Sequence, residues 1–167
     1  MSGRVDSPSS APCRVRRATE ADVPALVRCL AEAFEPYRRE YTPDAFSDTV
    51  VSEQTARVRL RTMVVLVAES PSGAILGTIT GAPVVPPGGH LRGMAVRPAA
   101  QGTGVAEELL RAALEALRAR GCQRVTLDTT MPLTRAARFY ERHGFRKTGR
   151  VTDFFGMPLV EYARSIA

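Results

Sequence analysis

Apolar spacing divides the chain into segments of two periods. Between residues 20 and 34, Val23, Leu26, Val27, Leu30, Ala33 and Phe34 recur at three- and four-residue intervals, the spacing of one helix face. Pro24 falls in the first turn, where a missing N–H is tolerated, and Thr19 with Asp22 forms a capping-box-like start. Residues 43–61 open on Thr-Pro and are mostly polar, which predicts a second, exposed helix. The period then shortens. "MVVLVAES" (63–70) and "AILGTITGAPVV" (74–85) are β-branched runs separated by "PSG", a hairpin signal. "PPGG" (86–89) reads as a loop and "HLRGMAV" (90–96) as a third central strand, ended by Pro98. Residues 102–120 return to helical spacing through Val105, Leu109, Leu110, Ala113, Leu114 and Leu117, with Gly121 at the stop position. "CQRVTLDTT" (122–130) predicts a strand, "TRAARFYERHG" (134–144) a short helix, and "FRKTGRV" and "MPLVEYARSI" two closing strands. A short strand, "CRVRRA" (13–18), opens the series.

Two opening helices followed by strands interleaved with helices predict an α/β fold with a mixed sheet. One domain is expected over 13–167, behind a flexible tail at 1–12, with no internal repeat. The 167 residues are 44% hydrophobic, enough for a core, and no apolar run nears the roughly 20 residues that span a bilayer. "MSGRVDSPSSAP" lacks the apolar segment of a signal peptide. Cys13, Cys29 and Cys122 have no metal-ligand spacing and read as free thiols of a reducing, cytoplasmic setting, with no metal expected. The net charge of +6 suits an anionic partner. Of 23 basic residues Lys147 alone is lysine, and arginine suits phosphate forks, although coding bias in an Ala-, Gly- and Pro-rich chain explains the excess equally well. The chain has no run of five or six like charges, so a nucleic-acid arm is not favoured.

The stretch "RPAAQGTGVAEELL" (97–110) places two glycines at the mouth of a strong helix. The first N–H groups of a helix have no intrahelical acceptor, and the dipole adds about half a positive charge there. Glycine removes the Cβ that would hold an oxyanion off, so "QGTGVA" suits a phosphate or pyrophosphate. A P-loop is disfavoured because no lysine follows, and a dinucleotide fingerprint because Glu107 stands where a third glycine belongs; a loop that simply turns, with nothing bound, is the alternative.

The stretch "HLRGMAVRPAAQGTGVAEELLRAAL" resembles the acyl-coenzyme A motif of the GCN5-related N-acetyltransferases (GNAT), Q/R-x-x-G-x-G/A after a strand ending in Val-x-Pro, through Gln101, Gly104 and Ala106. Farther on, "TRAARFYERHGF" resembles the same family's second motif, A-x-x-[LF]-Y-E-x-x-G-F, through Ala136, Phe139, Tyr140, Glu141, Gly144 and Phe145. One departure is Leu133, where many members carry an Asn that helps hold the pantetheine arm. The resemblance implies a mixed, mostly antiparallel central sheet, splayed between its central strands and flanked by helices on both faces. It also implies acetyl-CoA as co-substrate. Coenzyme A would wedge between the strands 90–96 and 122–130, held by Met94, Ala95, Val96, Gln101, Gly102, Thr103, Gly104, Val105 and Ala106.

Acyl transfer from a thioester needs a neutral amine, a polarised carbonyl and a protonated leaving thiolate. The resemblance implies direct attack in a ternary complex, carbonyl polarisation by backbone N–H groups of 94–96, and Tyr140 beside the sulfur as the acid. Packing in the helix core is the alternative role for this tyrosine. His90 is the candidate base, since a ring of pKa near 6.5 can accept the amine proton; a plain loop-edge histidine is the alternative, Glu69 and Glu35 are fallbacks, and a water chain with no dedicated base is a further route. With period two, His90, Arg92, Met94 and Val96 share a face, so Arg92 is placed to bind an acceptor carboxylate unless it is merely solvated. Phe34, Tyr37, Tyr41 and Phe46 either line an acceptor pocket or pack in the core. The leading expectation is an N-acetyltransferase for a primary amine of a small molecule. Acetylation of a protein or an aminoacyl-tRNA, and a non-catalytic acyl-CoA-binding module, are the alternatives, and a homodimer is left open.

Overall fold

A computed structural model describes residues 13–167; the tail expected over 1–12 lies outside the described residues. Its frame is one sheet of seven strands, β1 (Arg14–Arg17), β2 (Val64–Glu69), β3 (Ile75–Pro83), β4 (Gly88–Val96), β5 (Arg124–Thr130), β6 (Arg146–Phe154) and β7 (Met157–Ser165). They lie in the order β1-β2-β3-β4-β5-β7-β6, and every neighbouring pair is antiparallel except β4 with β5. The mixed, mostly antiparallel sheet expected from the sequence is therefore present, with helices on both faces.

One face is covered by α4 (Val105–Ala119) and α5 (Thr134–Arg142), the other by α1 (Val23–Phe34) and α3 (Glu53–Thr62). The apolar stripe of α4 explains its seat. Val105, Leu109, Leu110, Ala113, Leu114 and Leu117 are all buried, and each large side chain contributes about 1.5–3 kcal/mol by leaving water. Helix and sheet approach closely at Gly77, where a Cβ would stand 2.9 Å from both the Ala95 carbonyl oxygen and Leu109 Cδ1. β2 reads as a continuous apolar run because it is covered on both faces.

Three expectations need correction. The polar segment 43–61 is not one helix but α2 (Pro43–Thr49) followed by α3. Thr42 and Ser52 each cap a helix through their hydroxyls, and Ser52 starts a new one after Val51 turns into the core. The loop after β3 is shorter than 86–89, because Gly88 and Gly89 already pair with Arg124 and Val125 of β5. The helix expected from residue 102 begins at Val105, since Gly102 (φ 76°) and Gly104 (φ 90°) take left-handed conformations that a right-handed helix does not contain.

Candidate active site

Strands β4 and β5 pair for four residues, Gly88↔Arg124 to Leu91↔Leu127, and no farther. β4 then continues to Val96 and β5 to Thr130 without each other, so the sheet opens into a wedge. The cause lies in β4. Between Thr80↔Arg92 and Thr78↔Ala95 the register against β3 shifts, leaving an extra residue on β4 at Gly93, whose φ of 61° suits glycine. Such a bulge bends its strand and carries it away from the neighbour.

This bulge also overturns the simple alternation expected for 90–96. Leu91, Met94 and Val96 pack toward α4, while Ala95 packs among α1 residues on the opposite face. His90, Arg92 and Ala95 therefore share a face, and Met94 and Val96 do not. One inserted residue flips every side chain beyond it.

The wedge forms a cleft of about 350 Å³. One end is the turn ahead of α4, with Gln101, Gly102, Gly104 and Ala106 on its wall. Glu108 N–H donates to the Gly104 carbonyl at 3.2 Å, which leaves the earlier amides of the first turn without an intrahelical acceptor. Arg135, from the start of α5, donates to Gln101 Oε1 at 3.0 Å and sets its guanidinium beside Gly102. Amides, a helix N-terminus and an arginine suit the diphosphate of coenzyme A. The side chains of Thr103 and Val105 turn elsewhere: the Thr103 hydroxyl donates to the Ala100 carbonyl, and Val105 lies in the core. These two residues can offer the cofactor only backbone.

Midway along, the edge of β4 is open. Arg97 N–H donates to the Leu76 carbonyl of β3 at 2.8 Å, so the residue before it directs its backbone groups the other way, into the wedge. The Val96 carbonyl there accepts from Gln101 Nε2 at 3.2 Å, an acceptor that no strand of the sheet uses. Tyr140 stands on the opposite wall, 6% exposed, its ring edge-on to Phe139 and Phe145. Burial pushes its phenol well above the ordinary tyrosine range, so the hydroxyl keeps its proton. Leu133 also lines this part and brings no amide to it.

At the other end His90 faces β5 through their parallel pairing. Its Nδ1 lies 2.8 Å from Thr126 Oγ1 and its Nε2 3.5 Å from Asp128 Oδ2. Two tautomers fit these contacts: a Thr126 hydroxyl that donates to the Gly89 carbonyl at 3.4 Å accepts from Nδ1–H and leaves the lone pair on Nε2, whereas one that donates to Nδ1 sets Nε2–H toward Asp128. Burial holds the ring below the ordinary histidine range; Asp128 opposes that shift and Arg92 adds to it. Burial raises the Asp128 carboxyl, partly offset by His90. Arg92 and Arg59 lie along the same wall, and Phe34, Tyr37 and Tyr41 complete the mouth. Phe46 does not line the cleft; it packs edge-on to Tyr41 and under Arg38. The fallback bases lie off the cleft as well: Glu69 is bound to Arg16 and Glu35 to Arg38.

Thr126, Asp128, Arg59 and Arg135 were not legible as site residues. Thr126 and Asp128 alternate within one strand, so a shared face could be read, but nothing local tells which residue of β4 they meet. Among the described residues no group of three or more His, Cys, Asp or Glu is placed to hold a metal ion, and no helix is long and apolar enough to cross a membrane.

A strand-edge wedge ending in a glycine turn at a helix start suits an acyl carrier. The model of the acetyltransferase (GNAT) family matches residues 26–145. The chain belongs to that family, and is an acyl-CoA-dependent acetyltransferase. No curated protein matches it. Among solved structures it is similar to PaiA N-acetyltransferase from Thermoplasma acidophilum in complex with coenzyme A (16% identity, TM-score 0.75, covering 89% of this chain and 97% of that one). It is also similar to ribosomal-protein-alanine N-acetyltransferase from Brucella melitensis (24%, 0.72, 92% and 99%) and to YncA from Salmonella typhimurium with its cofactor acetyl-CoA (18%, 0.72, 93% and 94%).

Proposed function

We propose that the protein transfers an acetyl group from acetyl-CoA to a primary amine of a small molecule, by direct attack within a ternary complex. The roof over the acceptor end carries this reading. Tyr41 is buried and shares a 2.7 Å hydrogen bond with Thr130 at the end of β5, and the Thr42 hydroxyl donates to the Phe155 carbonyl at the tip of the β6–β7 hairpin at 2.8 Å. A roof tied at both points favours a compact acceptor over a polypeptide chain or a tRNA end.

The residues take the following roles. The amides ahead of and within the first turn of α4, with Arg135, bind the diphosphate. The free edge at Val96 binds the carrier arm as an added strand would, and its N–H polarises the thioester carbonyl. Bound acetyl-CoA supplies an activated acyl carbon, whose bond to sulfur breaks as the amine nitrogen bonds to it. His90 takes the proton from that nitrogen at Nε2, and Asp128 steadies the imidazolium. Tyr140 donates its O–H to the departing sulfur, and water then returns a proton to Tyr140 and removes one from His90. The free thiols take no part and fit a reducing compartment such as the cytoplasm.

The test is thiol release from acetyl-CoA against a panel of primary amines, with calorimetry of coenzyme A binding. Release that depends on the amine, with calorimetric binding, is expected. Failure to bind any acyl-CoA would refute the reading.

A further inference from the structure

The described ion pairs engage Arg14, Arg16, Arg38, Arg57, Arg97 and Arg111. Four arginines line the cleft and none of them is among these six; Arg135 serves the glycine-turn end, and Arg59 and Arg92 stand at the acceptor end. Arg59, in the last turn of α3, reaches beneath β4, and its Nη1 lies 3.4 Å from where a Cβ on Gly93 would stand. Arg92 follows His90 by two residues on the same face of β4. Asp48 and Asp128 line the cleft, yet among the described residues no carboxylate comes within ion-pair reach of either guanidinium. Arg59 is half-buried, and burial and the like charge of Arg92 both hold its pKa below the ordinary arginine range, an effect that an anion bound between them would oppose. The bulge glycine that opens the wedge also lies over the Arg59 guanidinium.

We propose that Arg59 and Arg92 form an anion seat in the acceptor end, and that the natural acceptor is an amine that also bears a carboxylate, as a free amino acid does. This rests on the acetyltransferase reading above and adds the substrate class. A guanidinium binds a carboxylate in a planar, two-pronged fashion, and the half-buried Arg59 repays its desolvation only when the anion arrives. Spacing fits as well. Residues two apart on a strand lie about 7 Å from each other along it, so a carboxylate held at Arg92 sets an amine a few bonds away near His90 Nε2. Phe34, Tyr37 and Tyr41 offer apolar surface for the remainder of the molecule.

The experiment compares amino acids of small, aliphatic, aromatic and acidic side chain with their amides and their decarboxylated amines, using full-length protein and thiol release from acetyl-CoA. At least one amino acid is expected to exceed its amide and its amine by tenfold or more in kcat/KM. Arg59→Gln and Arg92→Gln should each raise the acceptor KM by about 10- to 100-fold, shrink the preference over the amide toward one, and leave the KM for acetyl-CoA in place. Arg92 is exposed, so its variant keeps the test valid where the α3 variant folds poorly. Amides and plain amines used as well as every amino acid, or a preference that survives both substitutions, would overturn the anion seat while leaving the acetyltransferase reading standing. Absence of acetyl-CoA binding would instead remove the reading beneath it.

Discussion

Replacing Tyr140 with phenylalanine removes one hydroxyl and keeps the ring between Phe139, at 5.4 Å, and Phe145, at 5.8 Å. Among the described residues that hydroxyl makes no hydrogen bond, so the fold loses little and the change reads chemistry. Burial holds the phenol above its ordinary value near 10, whereas the leaving thiol resembles a cysteine near 8.5. Complete proton transfer ahead of bond breaking is therefore uphill. The contribution of Tyr140 is a hydrogen bond that strengthens as charge gathers on sulfur, followed by proton delivery. A hydrogen bond to a charged group contributes about 1.5–3 kcal/mol, which at about 1.4 kcal/mol per tenfold is a rate factor of roughly 10 to 150. Full general-acid catalysis would supply about 10²–10⁴. The expected loss in kcat is thus about 10²-fold, where the two ranges meet. Steady-state thiol release at saturating acetyl-CoA and acceptor measures it, with the calorimetric Kd for coenzyme A and the Tm as controls expected to hold. An unchanged kcat, or a loss confined to the KM for acetyl-CoA, would refute the role.

Two further outcomes follow from the geometry. Activity should fall on the acid side with an apparent pKa below about 6.5, because burial lowers the His90 pKa and its neutral form is the active one; the value belongs jointly to His90 and Asp128, with Arg92 and Glu161 facing them. His90→Ala should abolish that limb, and a pH–rate profile in which the limb persists counts against His90 as the base. Gly77→Ala forces a Cβ against the Ala95 carbonyl and Leu109, costing about 1–3 kcal/mol, or several degrees in Tm; a variant melting with the parent would show that α4 sits farther from β3 than described.

Much of the architecture was legible from local spacing. The stripe of α4 and the paired apolar runs of β2 and β3 are read at intervals of two to four residues, and the two family motifs are short and continuous. The acceptor end was less legible. Arg59 lies on a mostly polar helix whose boundaries the sequence blurred, and nothing along α3 distinguishes it from the ion-paired Arg57.

The sequence by itself determined the order and type of most elements, the glycine turn before α4 and the family motifs, because each depends on neighbours a few residues apart; the break of 43–61 into two helices was not among them. Tertiary structure alone decided which residues meet in the wedge. His90 finds Thr126 and Asp128 through a parallel register set across a whole helix, and one extra residue at Gly93 assigns Met94 and Val96 to the opposite face from Arg92. Register and bulges are fixed by the packing of both faces at once, a sum over contacts distant in the chain that no local period records.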